Sequence, residues 1–227
     1  MVVGAAAAVG AVVDLVAGTW PVVTVITVLA ALAGVTIACT RGEAIALARS
    51  GARPADPVVH ARLHNLVDGL CATSGLPLPR LHVIDDEAPD AFAVGRDPRH
   101  AALAVTTGLL ERLDRVQLEG VIAHELSHVK SGDTLVATLA VTLVGALRFP
   151  SLVDRAMRVV LPTHREALAD VAGVAMTRYP PGLASALVAL RDDPAVLRSA
   201  PASTAHLWIG SSAHPPLDER IEALREL

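Results

Sequence analysis

Cysteine is scarce in this 227-residue chain: Cys39 and Cys71 are too few for a disulfide scaffold, so a reducing compartment is expected. There is no long basic run, and the formal net charge is −4, which excludes the electrostatic footprint of a nucleic-acid binder. Lysine is nearly absent, with Lys130 alone, and Tyr179 is the one phenol available to stabilise an oxyanion. Charge of either sign is thin, at 19% of residues against 52% hydrophobic, so the chain is too apolar for disorder and richer than an ordinary soluble protein. Part of that excess is expected to face lipid. The length leaves room for one main domain and an anchor, not for two large domains.

Two apolar stretches, residues 2–18 and 22–39, flank Thr19, Trp20 and Pro21, which suit a tight turn at an interface. A helix needs about 20 residues to cross the hydrocarbon core, with about 17 as the lower limit, so residues 1–40 are expected to form a short transmembrane hairpin in a lipid bilayer. Asp14 lies toward the turn, where a carboxylate reaches the headgroups at less cost. No Lys or Arg precedes the first stretch, which argues against a cleaved secretory signal. Arg41, Arg49 and Arg53 follow the second stretch while the turn has no positive charge, so the main domain is expected on the cytoplasmic side of the cell (inner) membrane. Pro54 and Pro57 mark the end of a linker over 41–57, and residues 58–227 form the main domain.

Within that domain an apolar period through Val58, Leu63, Leu66, Val67 and Leu70 predicts a helix ended by Gly75 and Pro77. Runs 80–84, 91–94 and 102–106 read as a small sheet. Asp114 followed by Gln117 is a capping box that starts a helix over 115–131, with Gly132 as its stop. Residues 134–147 carry no charge but reach only about 21 Å as a helix, so a buried core helix is preferred to a membrane-embedded one. Helices are also expected over 165–177, 183–190 and 217–227, with 178–182 as a turn.

The decisive residues are His124, Glu125 and His128, an H-E-x-x-H on the capped helix. Residues four apart share one helical face, so two imidazoles can grip one ion while Glu125 points beside it. Zinc suits imidazole nitrogen and carboxylate oxygen, and a catalytic site leaves one position open to water. Lewis acidity then lowers the pKa of that water, and Glu125 is expected to take its proton and pass it to the leaving amine. A third ligand must come from downstream. Glu166 is the candidate, with Asp170 four residues on, so that one binds metal and the other orients a ligand histidine. Ala167, Ala169 and Ala172 would let that helix approach closely.

These residues carry a resemblance. The chain resembles the HtpX-like branch of the family that also contains the CAAX prenyl proteases. The likeness runs from about Pro77 to Leu227 and is carried by Ala91-Phe92-Ala93, Val105-Thr106-Thr107-Gly108-Leu109-Leu110, Leu118 through Lys130, Arg165-Glu166 with Ala169-Asp170, and His214-Pro215-Pro216 with Glu219-Arg220-Ile221. It implies a zinc-dependent endopeptidase with an N-terminal anchor, a compact gluzincin fold whose third ligand matches Glu166, and cytoplasmic quality control of misfolded membrane proteins. Where the family has Asn before Ala-Phe-Ala, on the strand that aligns substrate, this chain has Asp90, which cannot donate the amide's hydrogen bonds. Where HtpX-like proteins place two membrane segments between the histidine pair and the glutamate, one short apolar helix is all that fits here.

His60 and His64 also lie four apart but lack a third ligand and read as surface residues. His214 is a candidate to sit over the metal, as an oxyanion donor or a removable plug, or else simply to start a helix. Trp208 reads as core packing. The fold expected is α+β and mostly helical, a zincin-like domain whose three- or four-stranded sheet offers an edge strand, Asp90 to Ala93, to extended polypeptide substrate. The rival readings are an inactive membrane adaptor, a metal store or sensor, and a prenyl-protein peptidase, whose multi-span chamber needs more residues.

Overall fold

The computed structural model describes residues 2–17, 22–146, 164–199, 204–211 and 214–227. The turn at Thr19 to Pro21 lies outside them, as does the side chain of Asp14.

Two apolar helices open the chain, α1 (Val2–Ala17) and α2 (Val22–Arg49), and they pack on each other. Gly10 of α1 makes that contact close, since a Cβ there would fall 2.4 Å from Thr27 Oγ1. At 16 residues α1 spans about 24 Å, and α2 is the one described helix long and apolar enough to cross a membrane. The linker expected from residue 41 is instead helical as far as Arg49. The stretch Glu43-Ala44-Ile45-Ala46-Leu47-Ala48 is rich in strong helix formers and holds no breaker before Gly51, and its Ala46 and Leu47 are buried against the domain.

The sheet has the order β1-β2-β4-β3, with β1 (Arg53–Pro54), β2 (Arg80–Ile84), β3 (Ala91–Asp97) and β4 (His100–Thr106). β2 runs parallel to β4, and β1 and β3 are antiparallel to their neighbours. β3 and β4 run past the expected 91–94 and 102–106 because Asp97 closes a tight hairpin, its carboxylate accepting from the N–H groups of Arg99 and His100. Side chains alternate across the sheet as a two-residue period requires. Ala91, Ala93, Leu103 and Val105 enter one core with α3 (Ala61–Ser74) and α5 (Arg115–Ser131). Phe92, Val94, Ala102 and Ala104 enter a second core with the end of α2, Trp208 and α6 (Asp133–Ala146).

α5 starts at the expected capping box: Asp114 accepts from the Gln117 N–H at 2.8 Å and the Gln117 side chain accepts from the Asp114 N–H at 3.1 Å. It runs through the middle of the domain and is buried from Gly120 to Val129. A short helix, α4 (Thr107–Arg112), precedes it, capped by Thr106. α7 (Arg165–Thr177), α8 (Pro180–Asp192) and α9 (Leu217–Arg225) complete the described helices. The turn expected over 178–182 is shorter, because Pro180 and Pro181 occupy the first helical positions of α8, where a missing N–H costs nothing. α6 is packed along α2 and β3, the buried-helix reading of residues 134–147 as far as the described residues go.

Candidate metal centre

α5 and α7 cross at His124. A Cβ on Gly173 of α7 would lie 2.9 Å from the His124 N and 3.0 Å from its Cα, so the two backbones touch only because position 173 has no side chain. Of the three alanines expected to permit this approach, Ala169 is buried in the contact, Ala172 is partly buried and Ala167 faces solvent. Ser127 ties the pair, its hydroxyl lying 2.7 Å from the His124 carbonyl and 3.2 Å from that of Ala169.

This crossing brings His124, His128 and Glu166 together, with candidate ligand atoms from all three within 4.8 Å of one another. Glu166 Oε2 is 3.4 Å from His124 Nε2, and Glu166 Oε1 is 3.7 Å from His128 Nε2. Ligands held roughly 2.1 Å from one tetrahedral ion stand about 3.4 Å apart, so the spacing fits a zinc-sized cation. His124 Nδ1 lies 2.8 Å from Asp170 Oδ1, and the proton it donates there leaves Nε2 a bare lone pair. That Nε2 is fully buried without a hydrogen-bond partner, facing a carboxylate oxygen. Two lone pairs aimed at each other in a buried site repel unless a proton or a metal cation lies between them.

The surrounding charges are arranged about the triad. Arg220 of α9 holds Asp170 with two hydrogen bonds, from Nε at 2.8 Å and Nη2 at 2.7 Å, and its Nη1 is 3.6 Å from Glu166. Burial pushes the Asp170 carboxyl up, yet Arg220 and then His124 hold it below the usual carboxylate range. Glu166 is likewise held down by His124 and His128 against the burial that raises it. Glu125, inside the same pocket, has its carboxyl pushed up to about 8 by burial, with Glu166 and Asp90 adding to the effect and His128 opposing it. His214 stands with Nδ1 3.3 Å from Glu166 Oε1, and burial pushes its ring down to about 4, so it is neutral at neutral pH. Arg165 donates from Nε to Glu166 at 3.2 Å, and its buried Nη1 has no hydrogen-bond partner.

β3 is the sheet's edge and lies along α5. Because the Thr106 N–H donates to the Asp90 carbonyl, alternation turns the backbone of Ala91, Ala93 and Gly95 outward. The Ile209 N–H takes the Ala91 carbonyl at 3.2 Å. The Thr138 hydroxyl accepts from the Gly95 N–H at 2.9 Å and lies 3.4 Å from its carbonyl. Ala93 lies between these two contacts and is itself buried. The Phe92 side chain points away, packed edge to face on Trp208. Asp90 turns its carboxylate to the segment before His214, accepting from the N–H groups of Ala91 at 2.8 Å and Gly210 at 3.2 Å, and burial pushes it up to about 7.

Three other residues fall elsewhere. His60 and His64 bond the carbonyls of Asp56 and Ala55. Tyr179 is half exposed beside Val116 and Glu119, away from the triad. Arg220 was given no role by sequence reasoning, though a signal existed: it sits with Leu217, Ile221 and Leu224 on the apolar stripe of α9, where a charge must find a buried partner.

Residues 57–227 match the model of Peptidase family M48. A protease HtpX homolog of Tropheryma whipplei (strain Twist) is 39% identical over 227 residues, covering 81% of this chain and 78% of that protein. A protease HtpX homolog of Caldanaerobacter subterraneus is 33% identical over 239 residues (84% and 80%), and one of Acidiphilium cryptum is 35% identical over 242 residues (87% and 84%).

Proposed function

The chain belongs to peptidase family M48 and is an HtpX-like, membrane-associated metalloprotease, and from that premise we propose a zinc-dependent endopeptidase that cuts misfolded membrane proteins at the cytoplasmic face of the inner membrane. The observation that carries the metal reading is His124 Nε2, buried, unpartnered and turned to Glu166. His124, His128 and Glu166 would hold the ion. Bound there, zinc supplies Lewis acidity to the substrate carbonyl and a lowered pKa to water.

The rest is work for the chain's own side chains. Glu125, buried beside the triad, takes a proton from the attacking water and returns it to the leaving amine. Asp170 fixes the His124 ring with Nδ1 protonated, and Arg220 fixes Asp170. His214, beside Glu166, and the unpartnered Nη1 of Arg165 would hydrogen-bond the oxygen on which charge develops. Extended substrate pairs with β3, the edge strand of the sheet. The anchor of residues 1–40 and the catalytic domain of 58–227 follow from the same reading. An inactive adaptor has no need of a general base beside a complete ligand set.

The test is Glu125→Gln. Metal analysis should find the same metal content in this variant as in the wild type, while cleavage of an unfolded protein falls by about 10²–10⁴, the range general-base catalysis supplies. Undiminished cleavage would remove Glu125 from the mechanism.

A further inference from the structure

The tip of the β3–β4 hairpin lies at the level where α2 leaves the apolar region. The apolar run of α2 ends at Cys39, and Glu43 follows four residues later, about 6 Å further along the helix. The headgroup layer on each side of a bilayer is about 5–8 Å thick, so Glu43 falls within it. Arg80 at the start of β2 forms an ion pair with Glu43, and the charges of His100 and Arg96 act on that same carboxylate. Arg41 and Arg99 are exposed, as are most of the Arg80 and about half of the His100 side chains. Four arginines, at 41, 80, 96 and 99, thus stand against two carboxylates, Glu43 and Asp97, in a chain whose net charge is −4. The hairpin cannot swing away freely, because β3 and β4 pack on α2 and Thr138 of α6 grips Gly95 just before the tip.

We infer that the β3–β4 hairpin tip, with Arg41 and Arg80, is a contact surface for the headgroups of anionic phospholipids. The inference rests on reading α2 as the membrane anchor. Arginine suits this place: its long stem reaches along the surface and its planar fork pairs with phosphate oxygens. The consequence for the protease is geometric. β3 runs from this tip to Ala91 beside the catalytic helix, six residues or about 20 Å, so the lipid contact and the edge strand assigned to substrate are parts of one element.

The experiment uses the full chain in vesicles of phosphatidylcholine, with or without a minority of phosphatidylglycerol, and reads amide hydrogen exchange over residues 95–101. Exchange at the tip should slow by about fivefold in the anionic vesicles, the factor that corresponds to about 1 kcal/mol. Raised salt should remove the difference, and so should the double replacement Arg96→Gln with Arg99→Gln. Equal exchange in both vesicle types, or slowing that survives the double replacement, overturns the contact. Flotation on neutral vesicles separates the two readings: if the protein fails to float there, the anchor is wrong, whereas equal exchange with flotation intact overturns the hairpin contact alone.

Discussion

Single atoms decide the chemistry of this site. His124 is useful as a ligand because its Nδ1 is spent on Asp170, and Asp170 can stay ionised in a buried place because Arg220 grips both of its oxygens. Asp170→Asn keeps an oxygen for the His124 N–H but takes from buried Arg220 the carboxylate it grips, leaving Glu166 at 3.6 Å as its ion-pair partner. Metal affinity should therefore fall by about 10- to 100-fold in a competitive chelator titration, and an unchanged affinity would show that the ring is oriented by something else. Asp90 carries a different liability. Its folded carboxyl titrates near 7 against an ordinary 3.8, so between those values the folded state holds a proton that the unfolded chain has lost. The proton-richer state is favoured at low pH. Stability is then lost as pH rises from about 4 to about 7, by at most about 1.4 kcal/mol per unit, and is flat above. Asp90→Asn keeps the oxygen that accepts from Ala91 and Gly210 without the charge. It should match or trail the wild type in melting temperature at pH 5 and gain on it at pH 8, and a gap that stays constant with pH would refute the burial argument.

At the scale of elements, the boundaries that agree with sequence reasoning are the ones set by local chemistry. α5 begins at the Asp114 and Gln117 capping box and stops at Gly132, whose φ of 80° favours glycine, and α7 covers the expected 165–177. β1 is two residues long and exists only by pairing with β2, so no pattern of its own announces it. α4 is six residues and depends on the Thr106 cap, while the continuation of α2 past Cys39 depends on the domain it packs against. The crossing of α5 and α7 is the element-level feature on which the metal centre turns. Gly173→Val would set a branched side chain against the His124 backbone, which cannot yield, and drive α7 with Glu166 away from the histidines. Metal occupancy should collapse while helical content by circular dichroism is kept, and Leu168→Ala, on the exposed face of the same helix, should bind metal normally. Full occupancy in the valine variant would mean the helices can part without cost to the site.

Over the whole molecule, an apolar anchor and a compact domain are joined without a hinge among the described residues, since α2 continues unbroken from its apolar run into the second core. α6 packs along it, with Gly42 admitting Thr138 and Thr142 at distances a Cβ would not allow. The catalytic helix is therefore held at a set height and orientation to the bilayer. Membranes containing the protein should keep it through alkaline carbonate washing. Added trypsin should digest the domain over 58–227 in inverted inner-membrane vesicles and spare it in right-side-out spheroplasts. The reverse pattern would place the site on the other side of the membrane and discard the positive-inside argument from Arg41, Arg49 and Arg53.

The amino-acid order by itself determined the apolar start, the H-E-x-x-H face, the acidic pair at 166 and 170, and the ends of α5 and α7. Each depends on residues within a turn or two of one another, where spacing alone fixes which groups share a face. Tertiary structure alone decided that Glu166 meets the two imidazoles, that Arg220 backs Asp170, and that Gly173 is the point of closest approach. It also decided that Ile209 and Thr138 bond the outer edge of β3 on either side of Ala93. Such contacts join residues some forty to a hundred and twenty positions apart, and their partners are chosen by which surfaces the cores bring together, which no local pattern records.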